Sequence, residues 1–132
     1  MRLVRCTMRE LLAHVDARGR PVFGVEYGQL VGEVVRGRVW AGIGGDGVPL
    51  AIGGVYRSTD GEPGIAWLSV VPRLAAAIAP AWLLMRRIVR DERARGAVSC
   101  LVADHNAAGK RLASALGFVA TGDLWGWERR WQ

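Results

Sequence analysis

"DHNAAGKRLASALGFVATG", residues 104–122, is the stretch whose reading decides the fold. Ala108, Leu112, Ala115 and Leu116 recur at helical spacing and predict a buried stripe, with Asn106, Lys110 and Ser114 on a polar one. Asn106 stands where its side-chain oxygen would cap the first turn, and Gly117-Phe118 closes the last. Gly109 and Ala113, four apart, leave a flat strip that another backbone or a thin ligand chain could approach. What precedes the helix gives it meaning. "AVSCLVA" (97–103) is a β-branched apolar run and predicts a buried strand. "PAWLLMRRIVRDERAR" (80–95) predicts a helix, with Pro80 in its first turn, Gly96 at its end, and a stripe of Trp82, Leu84, Met85, Ile88 and Val89. "IAWLSVV" (65–71) is another apolar run of buried-strand length. Two buried strands joined by a helix predict a parallel pair made by a crossover.

Upstream, "RVWAGIGG" and "VPLAIGGVYRS" flank Asp46-Gly47, which reads as a hairpin turn. "GIGGDG" resembles a phosphate-binding loop in composition, but no helical pattern follows it, so the hairpin is the better reading. Residues 2–6 predict a short strand. Thr7 and Glu10 form a capping box for a helix that buries Met8, Leu11, Leu12 and Val15 and ends before Asp16. His14 falls off that face and is expected at the surface. Residues 23–35 predict a short, glycine-weakened helix, and "WGWERRW" (125–131) a last strand. Trp125, Trp127 and Trp131 share one strand face by their even spacing, with Trp131 expected on a self-association or partner surface. No repeat or linker divides residues 1–132, so a single α/β domain is expected.

Composition sets limits on function. The 132 residues are 51% hydrophobic and 23% charged, as in a globular chain. The longest apolar stretch, 74–85, is too short to span a bilayer, and no run of signal-peptide length opens the chain. Neither membrane insertion nor secretion is therefore expected. Two cysteines far apart and two histidines make no metal set. The formal charge of +6 favours an anionic ligand. Arg86, Arg87, Arg90, Arg93 and Arg95 crowd one helix, but Asp91 and Glu92 sit among them and Arg87 can pair with Asp91. No aromatic residue interleaves these charges along the chain, so a solvated face is expected rather than a nucleic-acid site.

The element order from Val39 onward resembles the GNAT (Gcn5-related) N-acetyltransferases. The resemblance rests on Val70-Val71-Pro72 at the end of one strand and on Asn106, Leu112, Leu116, Gly117 and Phe118 in the deciding helix. It implies a mixed, mostly antiparallel sheet with flanking helices, in which strands 65–71 and 97–103 splay apart at their C-terminal ends. It also implies acetyl-CoA in that splay, with Val70, Val71 and Asn106 as cofactor-binding residues. The chain departs from the family at Ala75, Ala76, Ile78 and Pro80, where the glycine-rich phosphate loop would lie, so weak acetyl-CoA binding is expected. Ala113 stands where many members carry a catalytic Tyr, Ser69 is the sole polar side chain of strand 65–71, and Asp104-His105 are the remaining base candidates. The pattern is similar to that of phage internal virion protein A-like members without the glycine loop. That implies a phage or prophage product, in a bacterial cytoplasm or a virion, acting by binding or by assembly as a homo-oligomer or with a virion partner. The alternative is an active N-acyltransferase on an amine.

Overall fold

The computed structural model describes residues 2–18, 27–57, 64–71, 78–102, 107–121 and 124–127. Their order is β1 (Arg2–Arg5), α1 (Met8–Arg18), α2 (Tyr27–Val35), β2 (Val39–Ile43), β3 (Pro49–Tyr56), β4 (Gly64–Val70), α3 (Ile78–Arg93), β5 (Val98–Leu101), α4 (Ala107–Ala115), β6 (Phe118–Thr121) and β7 (Leu124–Trp127). The strands form one mixed sheet in the order β1-β2-β3-β4-β5-β7-β6. Every neighbouring pair is antiparallel except β4 and β5, which are parallel and joined through α3.

Local chemistry explains most of the boundaries. Thr7 and Glu10 form the capping box of α1, with the Thr7 amide donating to the Glu10 carboxylate at 3.1 Å and the Thr7 hydroxyl bonded to the same oxygen. That hydroxyl bond chiefly holds the Glu10 carboxyl below its ordinary range. Between β2 and β3, Asp46 accepts the Val48 amide at 3.1 Å and Gly44 donates to the Val48 carbonyl at 2.9 Å, so "GIGGDG" is a hairpin. Gly117 ends α4 at φ 98°, a conformation that costs glycine little, and its amide caps the Ser114 carbonyl.

The sheet carries a core on each face. One joins Ala51, Val55, Ala66, Val98, Cys100 and Phe118 to the α3 stripe Leu84, Met85, Ile88 and Val89, with Ala113 of α4. The other joins Val39, Ala41, Ile52 and Trp67 to Leu11 of α1 and Leu30 and Val34 of α2. At the start of β4, Arg57 ties the two ends of the crossover together. Its Nε donates to the Glu92 carboxylate at 3.0 Å, one Nη to the Glu92 carbonyl at 2.9 Å and the other to the Ala97 carbonyl at 3.3 Å.

Several expectations change. The final strand is described over Leu124–Trp127, residues 128–131 of the expected strand lie outside the described residues, and β6, a strand that hydropathy did not suggest, pairs with it. Helix α3 runs 78–93 rather than 80–95, and α1 continues to Arg18. In α4 the buried residue is Ala113, whereas Ala115 is exposed. Residues 23–26 and Trp131 lie outside the described residues, so neither the start of the expected second helix nor the Trp131 surface is placed.

The close approach of β2, β3 and β4 leaves no room at Gly54. A Cβ there would stand 2.8 Å from the Arg38 carbonyl oxygen and 3.3 Å from the Trp67 Nε1. Backbone cannot yield as a flexible side chain does, so Gly54→Ala should cost about 1–3 kcal/mol of stability, read as a lower thermal midpoint.

Candidate functional site

The candidate site follows from unequal pairing along β4. On one edge its residues Ile65–Val70 pair without interruption with Tyr56–Ala51 of β3. On the other, among the described residues, Gly64, Ile65 and Ala66 alone have partners in β5, opposite Val98–Cys100. Among the described residues no pair joins the two strands beyond Ala66 and Cys100, in keeping with the splay that the resemblance implied. The Val71 amide donates to the Leu50 carbonyl at 2.9 Å, whereas the Gly64 amide donates to the Ala97 carbonyl at 3.0 Å on the β5 side. In a regular strand these directions alternate. The main-chain groups of Leu68 and Val70 therefore face the gap.

This geometry separates Val70 from Val71. The Val70 main chain is turned to the gap, while Val71 is buried with its amide spent on β3. Asn106 lies outside the described residues, as do Ala75, Ala76, Asp104 and His105. Helix α3 starts at Ile78 with Pro80 in its first turn, so one of its four unpaired N-terminal positions has no N–H to offer an anion. The face of the gap on the α3 side is closed by α3 and α4, whose Trp82 indole N–H donates to the Ala115 carbonyl at 3.3 Å.

The opposite face of β4 holds a polar pair. His14 is fully buried (0% exposed), contrary to its expected place at the surface, and Ser69 is 2% exposed. His14 Nδ1 lies 2.8 Å from the Pro49 carbonyl oxygen and Nε2 lies 2.8 Å from Ser69 Oγ. A carbonyl only accepts, so Nδ1 carries the proton, and in the neutral ring Nε2 accepts the Ser69 hydroxyl. Leu11 and His14, three residues apart, form the buried face of α1, and Leu12 instead is 54% exposed.

The remaining polar and thiol groups have narrower roles. Cys100 stands opposite Ala66, where the strands part, but burial pushes its thiol up to about 12 and keeps it protonated at neutral pH. Cys6 is likewise held at about 12, chiefly by burial. Among the described residues no group of His, Cys, Asp and Glu suits a metal ion, and no helix is long and apolar enough to cross a membrane. Glu33 of α2 is buried, and neither carboxylate oxygen has a hydrogen-bond partner. Arg38 stands 3.6 Å away and is itself half-exposed. Desolvation therefore raises the Glu33 carboxyl above the ordinary carboxylate range, with Arg38 and Arg36 opposing it. The arginines of α3 do meet aromatic rings in space: Arg87 lies 5.2 Å from the Trp40 ring, which Arg5 also covers at 4.5 Å, and Arg86 lies 4.9 Å from Trp82.

No protein-family model and no curated protein matches the sequence. Solved structures do match the fold. The acetyltransferase from Agrobacterium tumefaciens is 14% identical with a TM-score of 0.69, covering 96% of this chain and 90% of that one. A GNAT-family acetyltransferase from Listeria monocytogenes is 9% identical with a TM-score of 0.65, covering 95% and 91%. Arabidopsis thaliana NAA60, in complex with a bisubstrate analogue, is 14% identical with a TM-score of 0.62, covering 96% of each chain. At these identities the likeness shows the fold: this chain has the architecture of GNAT acetyltransferases.

The buried Glu33 carboxylate yields a prediction with a definite sign. Its raised folded value means that stability present below the ordinary carboxylate range is lost as pH rises through that value. Glu33→Met removes the buried charge and leaves the solvated Arg38 in water. The variant should melt a few degrees higher than the wild type at pH 7, roughly 1 kcal/mol, with the gain shrinking towards pH 4 in thermal unfolding.

Proposed function

We propose that this chain holds an acyl thioester of the acetyl-CoA type in the gap between β4 and β5, as an acetyltransferase-like protein. The observation that carries the reading is the unequal pairing of β4: the main chains of Leu68 and Val70 face the β5 side, where no described residue pairs with them. An arm bearing amide groups fits there as an added strand would, exchanging main-chain hydrogen bonds. Val70, from the expected cofactor set, is the residue this reading uses; Val71 contributes by fixing the register with Leu50. When bound, the thioester supplies an activated acyl carbon and a thiolate leaving group. The phosphate end is the poorer fit, because Pro80 removes a donor from the start of α3. Weak binding follows.

A second reading is assembly. A phage or prophage protein that keeps this fold as a scaffold, self-associating or joining a virion, would be consistent with the missing donor at Pro80. In that reading Trp131 belongs to a contact surface, and Trp131→Ala lowers the sedimentation coefficient while leaving the thermal midpoint nearly unchanged.

Val70→Pro separates the two readings. Proline at 70 deletes an amide that faces the gap, and the β3 ladder keeps its bonds through Ser69 and Val71. In a thermal-shift titration, acetyl-CoA at millimolar concentration should stabilise the wild type and not the variant. No stabilisation of the wild type leaves the assembly reading in possession of the fold.

A further inference from the structure

We propose that the α3 side of the sheet, towards its β1 edge, binds single-stranded nucleic acid through two arginine–tryptophan stacks. The proposal is independent of the thioester reading, which leaves these residues idle. In the first stack Arg5 lies 4.5 Å and Arg87 5.2 Å from the Trp40 ring. In the second Arg86 lies 4.9 Å from the Trp82 ring. The sequence pointed instead to a solvated face, on two grounds: Arg87 would pair with Asp91, and no aromatic residue lay among the charges along the chain. The fold removes both. Arg87 turns to Trp40, no ion pair joins it to Asp91, and each ring comes to the arginines through tertiary packing.

Both stacks are set before any ligand arrives. Trp40 is half-buried against the core beneath α3 and stands opposite Arg5 in the β1–β2 ladder. Arg5 is held in turn by the Gly37 carbonyl, which accepts from its guanidinium. Trp82 is fixed by the hydrogen bond from its indole N–H to the Ala115 carbonyl. The three arginines are exposed, and among the described residues none has a carboxylate within ion-pair distance. Glu92 is occupied by Arg57 and Arg95. Arg5 and Arg87 share one ring, so their guanidiniums lie no further apart than the two ring distances laid end to end. That is about one screening length, ~8–10 Å at physiological ionic strengths, so their repulsion is only partly screened. An anion between them relieves it.

A carboxylate answers the charge alone, whereas a single strand answers the geometry as well. The N–H groups of a guanidinium fit phosphate oxygens in pairs, and a guanidinium laid on an indole offers its outer side to an unpaired base. Arg86 and Arg87 are consecutive on α3, one turned towards α4 and the other towards β2. The two stacks therefore flank one helix, about 10–12 Å across, a width that a few nucleotides span. A duplex keeps its bases stacked on each other and would use its phosphates only. The formal charge of +6 acts in the same direction at longer range.

The test is fluorescence anisotropy of the whole chain with a labelled oligodeoxythymidine, over a series of salt concentrations. The wild type should bind, with an affinity that falls as salt rises. Arg5→Gln combined with Arg87→Gln should weaken binding about tenfold or more and flatten the logarithmic salt slope by roughly 0.7–1 for each arginine. Arg86→Gln alone should weaken it in the same sense. Arg9→Gln combined with Arg36→Gln removes equal charge from α1 and α2, on the other face of the sheet, and should leave the affinity nearly unchanged. Thermal midpoints measured in parallel establish that each variant is folded. Absence of wild-type binding at low salt, or an equal loss in the Arg9 and Arg36 variant, would overturn the proposal. So would tighter binding of a DNA duplex of the same length, or of poly-L-glutamate in competition, which would mark the surface as one for an acidic protein.

Discussion

One strand, β4, is bonded on one edge along its length and on the other for only its first three residues. The rest of the molecule is arranged around that inequality. The full ladder with β3 makes β4 rigid enough to stand alone where β5 leaves it. The short parallel ladder is held by the crossover through α3, whose apolar stripe packs against the same face. An exposed strand edge is ordinarily a hazard, because it invites pairing with another chain. Here that edge lies inside the sheet, flanked by a strand on each side, where a second protein's sheet has no access to it. The opening is a product of sheet architecture and owes little to any single side chain.

The two faces of the sheet divide the work. The α3 and α4 side is apolar and closes one wall of the gap. The α1 and α2 side carries three of the four buried polar groups among the described residues, His14, Glu33 and Ser69, within a largely apolar layer, the fourth being Ser99 of β5. Two of the three satisfy each other and one does not. His14 and Ser69 are hydrogen-bonded at 2.8 Å, whereas Glu33 has an ion-pair partner only at 3.6 Å, and that partner is half in water. Buried polar groups are costly when unpaired, so the contrast separates a paired site from a local strain on stability.

Much of this was legible in the sequence. The runs 65–71 and 97–103 and the stripe of α3 announced a parallel pair, and Asp46-Gly47 announced the hairpin that removed "GIGGDG" from the phosphate-binding candidates. What escaped has physical causes. Strand β6 has four residues and follows α4 without a polar break, so its pattern merges with the end of the helix. His14 lies on the buried face of α1 with Leu11, and a polar residue on a buried stripe shifts the apparent face by one position towards Leu12. The pair it makes with Ser69 spans 55 residues, and no local spacing encodes it. Trp40 meets Arg5 and Arg87 for the same reason: strand register and helix packing bring together what the chain keeps apart.

The Arg57 contacts bear on the order in which the fold gives way. One guanidinium joins the end of β3 to the last turn of α3 and to the residue that precedes β5, at the level where β4 begins. It therefore fastens the closed end of the forked strand pair and leaves the open end without a comparable tie among the described residues. Local opening then has a direction. Amides near Leu68 and Val70 exchange with solvent through small fluctuations of the gap, while those at Gly64 and Ala66 exchange only when the crossover itself comes loose. The fork is fastened at Arg57, and its open end is the part of this strand pair with the fewest ties among the described residues.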